Sequence, residues 1–179
     1  MKRGYSLILA LGMATTAMCD VDPADLPERE GPKPTTSEAP AGTMIAHQQL
    51  SDTAPREWQD WLFEKVSALP GVVTGRSLIS VEGARAFHLP PELEGVNANG
   101  FIVQREFAHL HPPSDGSLHV MLPEQTMQHA IAKGWGEPHP RNPRVAMIFG
   151  PRNEKEAEVV LAIVTASYHH ALGSAEVGR

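Results

Sequence analysis

Between Arg105 and Leu122 the chain reads REFAHLHPPSDGSLHVML. Polar and apolar residues alternate with a period of two on either side of Pro112-Pro113-Ser114-Asp115-Gly116, the pattern of two strands joined by a turn. Successive strand side chains point to opposite faces. The first strand therefore presents Phe107, His109 and His111 on one face and Ala108 and Leu110 on the other. In the returning strand Ser117, His119 and Met121 alternate with Leu118, Val120 and Leu122. If His111 pairs with Ser117, His109 lies opposite His119, with Cβ atoms about 4.5–5.5 Å apart. A slip of one residue would scatter the imidazoles. In this register Glu106 points away from His109, and only a β-bulge would re-aim it.

Elsewhere the apolar positions follow helical spacing. Trp58, Trp61, Leu62, Val66 and Leu69 form one stripe, predicting a helix from Thr53 to Leu69 that Pro70-Gly71 ends. A shorter helix is expected from Pro123 to Lys133, with Gly134 as its stop. The last starts at Asn153, which with Glu156 resembles a capping box, and runs to Leu172 through Ala157, Val160, Leu161, Val164 and Tyr168. Gly75 to Leu89 reads as a strand pair or one bent strand, Gly134 to Pro140 as a rigid loop, and Val145 to Phe149 as a short buried strand. The order predicts an α+β domain, an antiparallel sheet of about four to five strands packed by three helices.

Composition divides the chain. Lys2 and Arg3 precede an apolar run from Tyr5 to Met13, so residues 1–19 read as a signal peptide or N-terminal anchor. Residues 20–46, rich in Pro, Asp, Glu and Thr, read as a flexible linker. The domain is expected over 47–173, with a tail at 174–179. These features predict export, periplasmic or secreted, with a membrane tether through the N-terminus as the variant. Cys19 is the only cysteine, which excludes an intramolecular disulfide. A net charge of −6 without a Lys/Arg cluster argues against nucleic acid. No glycine-rich phosphate loop follows a strand, and Ser114 and Ser117 lack a nucleophile elbow.

The chemistry concentrates in histidine. Of nine in the chain, His109, His111, His119 and His139 fall in the strongest patterns. His-x-His with a third histidine on the neighbouring strand is a donor set for Fe, Zn or Cu, with positions left open for water or substrate. Without a metal the same rings can serve as bases and hydrogen-bond donors. The plainer alternative is a solvent-facing polar sheet face. His139, between two prolines, either completes the cluster or lines its mouth. Glu106 is expected to pair with Arg105, Arg152 or a backbone donor. Trp135, between two glycines, either walls a pocket or plugs the core. Arg152 suits an oxygen-rich substrate or a structural salt bridge, and His169 and His170 suit the helix dipole.

Four segments in order, REFAHLH (105–111), SLHVML (117–122), KGWGEPHP (133–140) and PRNEKEAEVV (151–160) with Ala166-Ser167, resemble the luciferase domain of bioluminescent fungi and its bacterial relatives. The fungal enzymes add O₂ to a hydroxylated α-pyrone and release light and CO₂ from the resulting endoperoxide, with no known need for NADPH or flavin at that step. The resemblance implies an oxygenase-type pocket built on Arg105, Glu106, His109, His111, His119, Trp135 and His139. Two features depart from the fungal pattern: the hairpin loop lacks a further histidine, and the connection after His139 is shorter. The chain thus reads as an oxygenase-type enzyme, not light-emitting, acting with O₂ on a small enolic, phenolic or pyrone-like substrate. A non-catalytic ligand-binding envelope protein and a zinc-type hydrolase are the alternatives.

Overall fold

The computed structural model describes residues 21–37 and 47–173. The export segment and the tail expected from sequence lie outside the described residues. Helix α1 (Arg56–Ser67) is followed by strands β1 (Val73–Arg76) and β2 (Arg85–His88), then the hairpin β3 (Glu106–Leu110) and β4 (Leu118–Met121). Helix α2 (Glu124–Ala132), strands β5 (Gly136–His139) and β6 (Asn142–Ile148) and helix α3 (Glu154–Leu172) complete the domain. The strands form one antiparallel sheet in the order β1-β2-β3-β4-β6-β5. The fold is α+β, as the order of elements required.

The sheet has six strands, not four to five. The added strand is β5, which sequence reasoning treated as a rigid loop because of Pro138 and Pro140. β5 is an edge strand, where a residue without an N–H is tolerated, and Pro138 pairs with Ala146 of β6.

One face of the sheet packs against the helices. Phe87, Phe107, Leu118, Val120 and Ile148 are buried with Val160, Ile163 and Val164 of α3. Ser167 of α3 donates to the Phe107 carbonyl at 3.0 Å, fixing the helix over β3. Asn153 caps α3 by accepting from the Glu156 N–H at 3.0 Å, and Gly173 takes the left-handed φ of 73° that ends it.

Composition read residues 20–46 as a tether, but residues 21–37 form a strap along the domain. Leu26 is buried, the Arg29 N–H donates to the Lys133 carbonyl at 2.9 Å, and the Trp135 indole donates to the Pro27 carbonyl at 2.6 Å. One buried leucine with satisfied backbone groups is enough to anchor a segment whose average composition is polar. Among the described residues no helix is long and apolar enough to cross a membrane.

Candidate active site

The hairpin takes the register that alternation required. His109 stands opposite His119, and the His111 N–H donates to the Ser117 carbonyl at 2.8 Å. In the turn, the N–H groups of Asp115 and Gly116 both donate to the Pro112 carbonyl. The aliphatic residues of both strands face the helices, so the histidines occupy the opposite face.

The alternation breaks at one place. His88 of β2 pairs with Glu106, whereas its neighbour Phe87 pairs with Ala108, so β3 carries an extra residue, a bulge, at Phe107. Phe107 turns into the core between Phe87 and Tyr168, not onto the histidine face. Glu106 is re-aimed toward His109, its Oε1 2.6 Å from Nδ1. Strict period-two reading had exchanged these two positions.

The histidine face is closed, not solvated. His109, His111 and His119 are all at most 5% exposed. Ring centroids lie 5.0 Å apart for His109–His119, 4.7 Å for His111–His119 and 4.8 Å for His119–His139. A fifth ring joins from outside the motifs: His47 is 4% exposed and stacks on His119 at 5.5 Å. No periodicity marks His47 in the sequence, and only the pairing of its segment across the domain reveals it.

Three of the rings are oriented by carboxylates. Glu106 holds His109, and its oxygens also accept from the Ser77 hydroxyl and the Leu78 N–H, each at 2.8 Å. Asp115 holds His111, Oδ2 to Nδ1 at 2.6 Å, while its other oxygen accepts from the Ser117 hydroxyl and N–H. Glu137 holds His47, Oε1 to Nε2 at 2.6 Å. Burial pulls all three carboxyls upward, but hydrogen bonds outweigh it and hold each below its ordinary value. His109 dominates for Glu106, His111 for Asp115, and Lys33 with His47 for Glu137. Ionised, these carboxylates only accept, so the ring nitrogen that faces each carboxylate carries a proton, and the ring's other nitrogen is left for the cluster.

The same bookkeeping assigns the other two rings. His139 Nδ1 accepts from the N–H groups of Arg141 and Asn142 at 3.1 and 3.3 Å, so its proton sits on Nε2. Burial, then the neighbouring His47, lowers its pKa to about 4. Burial, reinforced by His111, His109 and His139, keeps His119 well below the ordinary histidine value, and burial also lowers His109. His119 Nδ1 lies 3.1 Å from His109 Nε2 and its Nε2 lies 3.4 Å from His47 Nδ1. A neutral His119 has one proton for these two contacts. His111 Nε2 is buried and meets no partner among the described residues. With the rings neutral, the cluster holds more inward lone pairs than protons.

Two groups of rings can hold a metal ion: His109 with His111 and His119, and His47 with His119 and His139. The first suits a cation better, because a ring whose Nδ1 already accepts, as in His139, presents N–H and no lone pair. The carboxylate-backed histidines have the outer partners that metal-ligating imidazoles use.

Other residues proposed from sequence are engaged elsewhere. Arg105 donates to the Pro91 and Leu93 carbonyls at 3.1 and 3.2 Å and lies over the Phe101 ring. Trp135 is a core residue tied to Pro27. Arg152 forms an ion pair with Glu156 and donates to the Glu30 carbonyl. None of the three is hydrogen-bonded to a histidine of the cluster. They hold the strap and the loop before β3 in place.

A family model described as the luciferase domain matches residues 104–167. Luciferase of Armillaria ostoyae is 33% identical over 159 residues, and Luciferase of Neonothopanus nambi is 34% identical over 164 residues. Each alignment covers 80% of this chain and 60% of the relative, so the chain spans about 60% of the length of the curated relatives it matches. No solved structure gives a significant match. The matched segment contains the bulge, the hairpin, β5 and most of α3, the elements that carry Glu106, His109, His111, His119 and His139. Residues 104–167 thus carry a match to the luciferase domain, and the chain is similar to the fungal enzymes over 80% of its length.

Proposed function

We propose that the protein is a luciferase-like oxygenase-type enzyme, not light-emitting, that acts with O₂ on a small enolic, phenolic or pyrone-like substrate at the histidine cluster. The cluster would hold one transition-metal ion, iron, zinc or copper, through His109, His111 and His119. The observation that carries this reading is the convergence of the rings: a buried site with ionised carboxylates behind it and three ring nitrogens in front suits a cation. Where no metal is bound, neutral rings at His109 or His119 can instead take a proton from an acidic enol. The Nε2–H of His139 can donate to the oxyanion that develops, whereas His111, with Nδ1 held by Asp115, serves as a ligand. The bound metal would supply Lewis-acid or redox chemistry at the same place. The enolate provides the electrons that reduce O₂, so no external reductant is required. The basic and apolar N-terminus supports export as part of the same reading.

The test is oxygen uptake by purified protein against hydroxypyrones and catechols, with and without chelator. Uptake that chelator abolishes and that the H109A/H111A/H119A variant lacks is expected. Turnover that proceeds equally without O₂ would favour the zinc-type hydrolase, and uptake unaffected by the triple substitution would overturn the site.

A further inference from the structure

His119 belongs to both groups of rings that can hold an ion. Each of its nitrogens faces one other ring: Nδ1 lies 3.1 Å from His109 Nε2, and Nε2 lies 3.4 Å from His47 Nδ1. A neutral imidazole carries one N–H and one lone pair. The side that receives the proton therefore decides which group His119 can serve.

The far side of the cluster sets that choice. Lys33 Nζ stands 2.5 Å from Glu137 Oε2, and Glu137 Oε1 stands 2.6 Å from His47 Nε2. Lys33 already supplies the positive partner of this carboxylate, so a neutral His47 is enough to complete it. The His47 proton then sits on Nε2, and its Nδ1 is an acceptor. Among the described residues that acceptor is hydrogen-bonded to His119 Nε2 alone. On the other side of His119, the 3.1 Å separation from His109 Nε2 matches two nitrogens on one ion. Metal–nitrogen bonds of about 2.0–2.1 Å at octahedral or tetrahedral angles put such ligands about 2.9–3.4 Å apart.

We propose that His47 and Glu137 are positioning residues that hold the His119 proton on Nε2, so that His119 ligates through Nδ1 beside His109 and His111. His47 is then the outer partner of a ligand and not itself a ligand. The proposal rests on the metal reading above, and adds the nitrogen used and the residues that select it. Lys33 and His47 both stand outside residues 104–167, so the segment that matches the luciferase domain does not by itself complete the centre.

Long-range proton–nitrogen NMR of the ¹⁵N-labelled full chain, titrated with zinc at about pH 8, above the ordinary histidine value, reads the choice directly. Zinc is expected on His119 Nδ1, with Nε2 of His119 and Nε2 of His47 each keeping a proton. His47→Leu fills the space but leaves the His119 N–H without an acceptor, and is expected to weaken zinc about 10–100-fold. His47→Asn offers a carbonyl oxygen in place of Nδ1 and is expected to restore the parent's binding. A packing role alone would be met by leucine, so His47→Leu binding zinc like the parent, or His47→Asn binding no better than His47→Leu, would overturn the proposal. Zinc on His119 Nε2 or on His47 would overturn it from the parent's spectrum, whether or not the variants fold, and would leave a metal centre standing. A parent that takes up no zinc would overturn both the metal reading and this proposal.

Discussion

His111 and Asp115 face each other across the hairpin turn, Nδ1 to Oδ2 at 2.6 Å, with both side chains almost wholly buried. The contact decides what His111 can do. It places a proton on Nδ1 and leaves Nε2 buried without a partner among the described residues. A turn that looks in sequence like punctuation thus supplies the second carboxylate of the site.

Replacing that carboxylate should loosen the ligand without removing it. Asp115→Asn is expected to lower metal affinity about 10–100-fold, the usual effect of losing an outer partner of a ligating histidine. Competition against a chromophoric chelator measures it. An affinity equal to the parent's would mean that His111 is not a ligand.

The hairpin register was legible because the period-two pattern ran unbroken over Ala108–His111 and Ser117–Leu122, on both sides of the turn, and any slip would have buried histidines in the aliphatic core. The three helices were legible for a similar reason, since their apolar stripes and stop glycines agree. The position of Glu106 was not. A bulge depends on how β2 and β3 pair, a non-local property that the residues of β3 alone do not encode. His47 and Glu137 escaped for the same reason: they meet only because a segment outside the hairpin folds across an edge strand.

Glu137 should matter to the site despite its place on that edge. Glu137→Gln replaces an ionised, accept-only group with a neutral amide that can also donate, so the tautomer of His47 is no longer fixed, and oxygen uptake is expected to fall by about tenfold or more. Unchanged uptake would make His47 a packing residue.

The arginines proposed from sequence behave differently. Arg105→Ala and Arg152→Ala are expected to leave metal content unchanged while lowering stability, because each loses bonds to backbone carbonyls or to Glu156. A denaturation midpoint and a metal assay on the same samples separate the two effects. Loss of metal in either variant would restore that arginine to the site.

The Arg152–Glu156 pair also predicts a pH dependence. Burial raises Glu156, but the Arg152 hydrogen bonds outweigh it, so the folded value lies below the ordinary one. A depressed carboxyl contributes stability that is present above its unfolded value of about 4.3 and is lost as pH falls through the folded value. Glu156→Gln should therefore be less stable than the parent near neutral pH, with the gap closing in acid below about pH 4.3. Urea midpoints across that range provide the check, and a constant gap would contradict it.

Gly136 allows β5 to reach β6. A Cβ there would stand 2.1 Å from the Met147 carbonyl oxygen, so Gly136→Ala must push the edge strand away. The cost is expected to be on the order of 1–3 kcal/mol, read as a lower unfolding midpoint. A midpoint equal to the parent's would show that β5 is free to move.

The account rests most directly on whether the carboxylate-backed rings hold a cation. Elemental analysis of the full chain, purified without a metal-binding tag, is the measurement. About one iron, zinc or copper ion per chain, lost in His111→Ala while the circular dichroism spectrum is kept, is the predicted result. A parent protein that takes up no transition metal on reconstitution, or a His111→Ala variant that keeps its metal, would contradict it.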